Sequence, residues 1–238
     1  MSFLKAHDAE KIYLVGDLFD FWRLRRGPSW RASHTEAVQQ LIAKAHNGTR
    51  LIYIPGNHDT EMRAFAGTKL GPFEICLSAL HTTEAGQRFL VIHGDEHDAV
   101  MHNARWLAII GDIGYDVAAA LNELLNWARR LCGLRYWSLA AYLKYRVKRM
   151  VNYAGNFENR LIAAAREAGA GGVICGHIHH AAIREIGGIT YVNTGDWVES
   201  GTAIAEHANG ELEIIRWTDK LRDAAAARPT PKPAAGTP

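Results

Sequence analysis

Short apolar segments of this chain end in clusters that combine glycine with aspartate, asparagine or histidine. The segments are rich in β-branched residues, which is typical of strands buried on both faces of a sheet. They are Lys11–Val15, Arg50–Ile54, Arg88–Ile92, Gly172–Cys175, Ile189–Val192, Thr202–Ala205 and Leu212–Arg216. Because glycine lets a chain turn sharply where a strand stops, the pattern predicts an α/β fold with polar loops at the strand ends.

The hydrophobic periodicity of the remaining residues predicts the helices and the domain boundaries. Between the first two strands, the pair Ser33 and Glu36 predicts a capping box, and Asn47-Gly48 predicts the helix end. Helical periodicity dominates residues 99–169, and its last helix is predicted over Phe157–Ala168 with Asn156 as its cap. We therefore expect an α/β core at 1–98 and 170–218, a helical insertion at 99–169 and a disordered Ala/Pro-rich tail at 219–238.

Composition excludes several classes of protein. The chain is 48% hydrophobic and 22% charged, which excludes a disordered protein, and its formal net charge of +2 is too small for a dedicated DNA-binding protein. The 3 cysteines form no C-x-x-C pair, so they predict neither a disulfide scaffold nor a thiolate metal site. The 12 histidines are the unusual feature, and several of them lie at the predicted strand ends.

Four polar clusters follow predicted strands. They are Gly16-Asp17-Leu18-Phe19-Asp20, Gly56-Asn57-His58-Asp59, His93-Gly94-Asp95 and Gly176-His177-Ile178-His179. Any one of them alone is compatible with an ordinary turn or a surface histidine pair, but their joint occurrence in this order favours one site at one edge of the sheet. Oxygen and imidazole donors together suit Mn²⁺, Fe or Zn²⁺, and a pair of such ions can assist phosphoryl transfer.

The motifs GDLFDFW, GNHD, HGD and GHIHH resemble those of the calcineurin-like metallophosphoesterases. Within that superfamily, VIHGDEHD, YVNTGDWVES and the long helical insertion most resemble the UDP-2,3-diacylglucosamine diphosphatase (hydrolase) family of bacterial lipid A synthesis. The resemblance implies a four-layer fold, with two packed mixed β-sheets flanked by helices and a helical cap insertion. It also implies hydrolysis of a pyrophosphate by metal-bound hydroxide, with two Mn²⁺ ions in the complete family site.

The resemblance assigns metal ligands residue by residue. Asp17 would bridge two ions, Asn57, His93 and His177 would complete one metal site, and His179 would belong to the other.

Further roles follow for the neighbouring polar residues. His58 would face the phosphate and assist the leaving group, and Asp59 would orient its imidazole. Asp20 and Asp95 would support the site, Asp95 by holding a ligand histidine in one tautomer. Many diphosphatases of the family carry Arg where this chain has His58, so a general phosphodiesterase or phosphatase is the alternative function.

The first motif of the superfamily, D-x-H at the end of its first strand, is not present in this sequence. One hypothesis is that the chain begins about one strand–helix unit late, so that the first strand and two ligands are lacking. The other is a degenerate family member with one competent metal site and one weak one, acting as a catalytically weak membrane-associated homologue.

The insertion is basic and aromatic, because no acidic residue lies between Glu123 and Glu158. This pattern favours an anionic membrane surface or an anionic substrate bearing acyl chains, although an ordinary solvated basic face is the alternative. A nucleic-acid partner is not expected, since the rest of the chain is not basic. The candidate substrate or membrane contacts are Arg129, Arg130, Arg135, Trp137, Arg146, Arg149 and, in the YVNTGDWVES motif, Asp196.

Localisation follows from the N-terminal sequence and the hydropathy. Met1–Lys11 has no apolar region of the kind found in a secretory signal, and no apolar run is long enough to span a bilayer. We expect a cytoplasmic protein, peripheral to the inner membrane, acting on a lipid-linked or nucleotide-linked phosphate.

Overall fold

The computed structural model describes residues 2–27, 30–98, 157–198 and 200–220. The described residues divide into two compact units, one formed by those within 1–93 and 165–238 and the other by those within 94–164. Most of the predicted insertion at 99–169 and of the predicted tail at 219–238 lies outside the described residues, so these domain boundaries remain predictions.

The strands of the first unit lie where the apolar segments predict them. Those with the predicted bounds are β1 (Lys11–Val15), β2 (Arg50–Ile54), β6 (Arg88–Ile92), β7 (Gly172–Cys175) and β11 (Leu212–Arg216). Two strands run one residue further than predicted, namely β9 (Ile189–Asn193) and β10 (Thr202–Glu206). Four were not predicted: β3 (Lys69–Leu70), β4 (Phe73–Ile75), β5 (Ser78–Thr82) and β8 (Ala182–Ile186).

These strands form two mixed sheets and one antiparallel pair. The first sheet has the order β1-β2-β4-β3, and the second has the order β5-β6-β7-β9-β8. In the first sheet β1, β2 and β4 are parallel, and in the second β6, β7 and β9 are parallel. The pair β10-β11 is antiparallel. Val15 pairs with Ile54 and Cys175 pairs with Asn193, so the loops that follow neighbouring parallel strands start side by side.

The two mixed sheets pack together through apolar side chains. Ile54 of β2 lies in one cluster with buried residues of the second sheet, namely Phe89, Val91, Ile174 and Val192. Tyr53, the preceding residue, contributes to a second cluster with Met62 and Ile75. Because successive side chains of a strand point to opposite faces, β2 is buried on both sides, as its apolar sequence predicts.

Among the described residues, α-helices cover α1 (Ser2–Ala6), α2 (Phe21–Leu24), α3 (Ala32–His46) and α4 (Phe157–Glu167), and residues 217–220 are also helical. Short 3-10 helices cover Thr60–Phe65 and Asp95–His97. None of the helices in the described ranges is long and apolar enough to cross a bilayer.

The two predicted helices differ in how well their ends were predicted. The capping box of Ser33 and Glu36 is wrong, because α3 begins at Ala32 after the extended residue Arg31, which places Ser33 inside the first turn. Its predicted end is confirmed, with Asn47 as the C-cap and Gly48 at a φ of 99°. The helix α4 ends at Glu167, and Gly169 follows at a φ of 63°. Asn156, its predicted cap, lies outside the described residues.

An ion-pair group joins three strands of the first sheet through Glu74 of β4. Its carboxylate accepts hydrogen bonds from Arg50 Nη2 at 2.6 Å and Arg50 Nε at 3.0 Å, and Lys69 Nζ lies at 3.1 Å. The hydrogen bonds from Arg50 and then Lys69 lower the pKa of Glu74 to about 2. The folded-state pKa is thus below that of the unfolded chain, so the stabilisation is present above the unfolded value and is lost as the pH falls towards 2.

We expect Glu74→Gln to lower the free energy of unfolding by about 0.5 kcal/mol at pH 7, a small effect because both cationic partners are exposed. The difference from the wild type should shrink as the pH falls below about 4.3, the usual value for a free glutamate. Urea unfolding at pH 7, 4 and 3 measures it. Glu10→Gln, on the exposed approach to β1, is the control, and an equal or larger effect there would contradict the role of Glu74.

Candidate active site

The carboxyl ends of β1, β2, β6 and β7 bring together four of the side chains predicted as metal ligands. Asp17 Oδ2 lies 3.4 Å from His93 Nε2, and Asn57 Oδ1 lies 3.1 Å from His177 Nδ1. The His93 and His177 rings meet edge to face, with centroids 5.3 Å apart. The structure thus joins loops that are up to 160 residues apart in sequence into one polar cluster. The strands that carry them belong to two sheets, β1 and β2 to the first and β6 and β7 to the second, rather than to the single sheet edge that the strand-end pattern predicts.

Backbone strain is concentrated at the same residues. Within the described ranges, the non-glycine residues with positive φ are Asp17 at 54°, His177 at 65° and His179 at 53°. This conformation costs about 1–2 kcal/mol for a residue with a side chain, and such strain is characteristic of functional sites. His179 has an exposed side chain and lies in the same loop as His177. All three strained residues are therefore among the predicted metal ligands.

The carboxylate of Asp17 is held in its ionised form. Its Oδ1 accepts a hydrogen bond from the backbone N–H of His58 at 2.9 Å. Burial acts to raise the pKa of Asp17, but His93 and the N–H of His58 outweigh it and leave the pKa below its ordinary value. Asp17 therefore carries a negative charge near neutral pH, as a ligand of a cation requires.

The donor set fits a divalent cation. It combines a carboxylate, an amide oxygen and imidazoles, a mixture that suits Mn²⁺, Fe or Zn²⁺. Two glycines leave room for these donors: a Cβ on Gly16 would lie 1.9 Å from His93 Cδ2, and one on Gly56 would lie 2.3 Å from Asp17 Oδ1. In the part of the chain that the structure describes, no three His, Cys, Asp or Glu side chains are already arranged to hold a metal ion. The fit of the site to a divalent cation therefore rests on the chemistry of the donor atoms and on the space that the two glycines leave around them.

Asp59 does not orient the imidazole of His58, contrary to the role that the resemblance implies. Its side chain is fully buried and accepts hydrogen bonds from the loop after β1, including the N–H of Leu18 at 2.8 Å and of Phe19 at 3.2 Å. The hydroxyl of Tyr53 also donates to it. Asp59 is thus directed into the protein rather than towards its neighbour His58, whose side chain is partly exposed.

Asp20 takes the place that was predicted for Asp59. Its Oδ1 lies 3.1 Å from His58 Nδ1, and the exposed indole of Trp22 packs on the same imidazole, with ring centroids 4.3 Å apart. Burial acts to raise the pKa of Asp20, but the hydrogen bonds from His58 and from the N–H of Arg23 leave it below its ordinary value. The imidazole of His58 is therefore fixed by an ionised carboxylate on one nitrogen and by an aromatic ring on its face.

The remaining predicted site residues lie elsewhere. Asp95 belongs to the second compact unit, where it is buried at the start of the 3-10 helix Asp95–His97, and its predicted contact with a ligand histidine remains a prediction. Asp196 accepts hydrogen bonds from Val198 N at 2.8 Å and Ser200 Oγ at 2.6 Å, so its carboxylate shapes its own loop. The predicted basic and aromatic contacts lie outside the described residues: Arg129, Arg130, Arg135, Trp137, Arg146 and Arg149.

Two buried polar residues that support the site were not predicted. Tyr53 donates to Asp59, and the amide of Asn193 donates to Gly176 O at 2.7 Å while accepting from Gly195 N at 2.9 Å. Asn193 thereby fixes the loop that carries His177. A signal was present in both cases, because a hydroxyl or an amide within an otherwise apolar buried strand must find a hydrogen-bond partner.

The chain is similar to a known protein family and to several known proteins. The family model of the calcineurin-like phosphoesterases matches residues 2–181. A UDP-2,3-diacylglucosamine hydrolase of Pseudomonas paraeruginosa is 28% identical over 241 residues, which covers 90% of this chain and 89% of that protein. A protein of the same name from Haemophilus influenzae is 24% identical, with coverage of 89% and 87%. A solved archaeal phosphodiesterase aligns with a TM-score of 0.41 at 12% identity, covering 90% of this chain and 87% of that one.

The family model alone spans most of the chain and includes all the loops that form the polar cluster. The chain therefore belongs to the calcineurin-like phosphoesterase family and is a hydrolase.

Proposed function

We propose that this phosphoesterase hydrolyses the pyrophosphate of UDP-2,3-diacylglucosamine, releasing UMP and the acylated sugar phosphate. The observation that carries the proposal is the gathering of Asp17, Asn57, His93 and His177 at the strand ends, with His58 following Asn57 in the chain. The substrate is supported by relatives that bear the name of this hydrolase and match 90% of the chain.

The family implies the use of divalent metal ions. Asp17, Asn57, His93 and His177 would hold one ion and His179 would belong to a second, and we propose Mn²⁺ as the metal. Bound cations of this kind acidify water and offset the charge of phosphate oxygens. The ionised carboxylate of Asp17 attracts them and stays deprotonated at neutral pH.

His58 supplies a proton to the leaving phosphate oxygen. Its Nδ1 is engaged by Asp20 at 3.1 Å, so the orientation of the ring is fixed and Nε2 is left for the substrate. Trp22 packs on the ring and limits its rotation. His58 thus donates its proton to the leaving group through one defined atom, Nε2.

The acyl chains of the proposed substrate require contact with a lipid phase. We place the protein at the cytoplasmic face of the inner membrane, as a peripheral protein. The basic and aromatic composition between Glu123 and Glu158 supports this placement, because cationic side chains and interfacial rings favour anionic lipid surfaces.

A turnover measurement with Mn²⁺ tests the proposal by comparing UDP-2,3-diacylglucosamine with bis-p-nitrophenyl phosphate. We expect release of UMP from the first substrate, at a kcat/KM at least about 100-fold above that for the second, because the enzyme would use the binding energy of the nucleotide and acyl groups. The metal content of the purified protein, counted per chain, accompanies the assay.

The opposite substrate preference would favour the second candidate, a general phosphodiesterase or phosphatase. That candidate is supported by His58, which stands where many of the diphosphatases that the sequence resembles carry arginine. Absence of turnover on both substrates, with one ion or none per chain, would contradict both enzymatic proposals and favour a catalytically weak homologue.

A further inference from the structure

Asp59 is a buried carboxylate that the proposed mechanism does not use. It is 0% exposed, and both of its oxygens are surrounded by N–H and O–H donors. Oδ1 accepts from Gly56 N at 2.5 Å and from Asp17 N at 3.3 Å. Oδ2 accepts from Leu18 N at 2.8 Å, from Phe19 N at 3.2 Å and from the Tyr53 hydroxyl. These hydrogen bonds compensate for the cost of burying the carboxylate, so the surrounding donors are arranged to bind it.

The donors belong to the two loops that carry candidate metal ligands. Three consecutive backbone N–H groups, those of Asp17, Leu18 and Phe19, converge on the carboxylate in the manner of an anion-binding nest. The first of these residues, Asp17, has the left-handed φ of 54°. The carboxylate therefore stabilises a backbone conformation that a residue with a side chain does not readily adopt, and with it the direction of the Asp17 side chain.

The loop after β2 is fixed by the same group. Gly56 N donates to Asp59, and Gly56 directly precedes the candidate ligand Asn57. A return contact runs the other way, since His58 N donates to Asp17 Oδ1 at 2.9 Å. The two loops are thus connected twice, once through Asp59 and once through Asp17, while the hydroxyl of Tyr53 anchors the carboxylate to β2.

We propose that Asp59, anchored by Tyr53, is a positioning residue that sets the placement of Asp17 and Asn57 for metal binding and does not touch the substrate. The inference deepens the proposed function, because it concerns how the same site is held. Both carboxylate oxygens are needed, since each accepts from at least two donors. An amide at this position would turn an NH₂ group towards other N–H donors.

Mn²⁺ titration of the full chain, followed by the electron paramagnetic resonance of free Mn²⁺, tests the inference without any substrate. We expect Asp59→Asn to weaken Mn²⁺ binding by about 10- to 100-fold, the range found for residues that orient metal ligands. Tyr53→Phe removes one donor and leaves the carboxylate in place, so it should weaken binding by only about threefold. Asp59→Glu retains the charge and both oxygens and should restore part of the affinity that Asp59→Asn loses.

A control separates positioning from general destabilisation. Val91→Ala removes buried volume from the core between the sheets, so it should lower the melting temperature without changing Mn²⁺ affinity. With substrate at saturating Mn²⁺, Asp59→Asn should lower kcat and leave KM within about twofold. Wild-type Mn²⁺ affinity in Asp59→Asn, or a change confined to KM, would overturn the inference. If Asp59→Asn does not fold, unchanged affinity in Tyr53→Phe overturns it instead.

The proposed function can fail separately. A protein whose Mn²⁺ affinity responds to Asp59 as expected, but which does not cleave UDP-2,3-diacylglucosamine, would contradict the proposed substrate and support the positioning role. A protein that cleaves this substrate while Asp59→Asn binds Mn²⁺ normally would contradict only the positioning role.

Discussion

Replacing Asp17 with asparagine is expected to abolish hydrolysis, with a fall in kcat/KM of at least about 1000-fold, or about 4 kcal/mol of transition-state stabilisation. The change keeps the size of the side chain and removes its charge. Asp17 is ionised near neutral pH, because His93 and the N–H of His58 hold its pKa below the ordinary value in spite of burial. A neutral amide cannot replace that charge at the centre of the donor set, and cations then bind weakly.

The geometry adds to the loss. Oδ1 of Asp17 accepts a hydrogen bond from His58 N, and Oδ2 faces His93 Nε2. In asparagine one of these oxygens becomes an NH₂ group, which cannot accept a hydrogen bond, so one of the two contacts is lost. The measurement is steady-state hydrolysis with Mn²⁺, together with the Mn²⁺ affinity of the variant. Both should fall together, since the proposed role of the side chain is to hold the cation.

Asp20→Asn is the matched comparison, because Asp20 lies in the same loop and contacts His58 instead of the metal-ligand cluster. It should leave Mn²⁺ affinity unchanged and lower kcat by about 10- to 100-fold, a typical range for impaired general acid catalysis. Its effect should be smallest with a p-nitrophenolate leaving group, which departs without a proton. Hydrolysis at the wild-type rate by Asp17→Asn would contradict the proposed role of Asp17 in holding the cation.

Half of the convergence of the site could be predicted from the sequence, because it depends on strand ends. β1, β2, β6 and β7 were recognised from short apolar runs, and parallel neighbours place their carboxyl ends side by side, as β1 does with β2 and β6 with β7. The meeting of the two pairs could not be predicted in this way, because the pairs belong to different sheets. The strands that were missed lack this signal. β3 has two residues, and β5 alternates between exposed and half-buried positions, as an edge strand does.

The sequence could not show which of the two carboxylates, Asp20 or Asp59, contacts the imidazole of His58. Both carboxylates lie within a few residues of a candidate ligand, and His58 is adjacent to Asp59 in sequence. Which of them contacts the imidazole depends on the turn after β2, where Asp59 is directed inward by Tyr53 and by the backbone N–H groups of the loop after β1. Spacing along the chain carries no information on that choice, because most of the donors to Asp59 belong to the loop after β1, about 40 residues away in sequence.

Replacing Gly56 with alanine should impair the site far more than the fold. The added Cβ would lie 2.3 Å from Asp17 Oδ1 and 2.6 Å from His93 Cε1, so both side chains must move. Gly56 does not have a positive φ, so the alanine backbone is not strained and the clash is the only direct effect. Since the displaced atoms belong to side chains, the protein can accommodate the methyl group, but only by shifting two candidate metal ligands.

We expect Mn²⁺ affinity and kcat to fall by about 100-fold in Gly56→Ala, because a displacement of about 1 Å in a catalytic constellation has effects of that size. The melting temperature should change by only a few degrees, a loss of about 1 kcal/mol in a domain of this size.

Gly171→Ala is the matched control: the nearest atom to its added Cβ is Gln87 Cγ at 3.8 Å, an ordinary contact away from the donor set. Full activity in Gly56→Ala would show that Asp17 and His93 need not lie where the structure places them, whereas equal losses in both variants would attribute the effect to the fold. A loss of activity in Gly56→Ala but not in Gly171→Ala would show that the chemistry requires the loop after β2 to lie close to Asp17 and His93. The two substitutions add the same methyl group, but only the one at Gly56 would clash with these side chains.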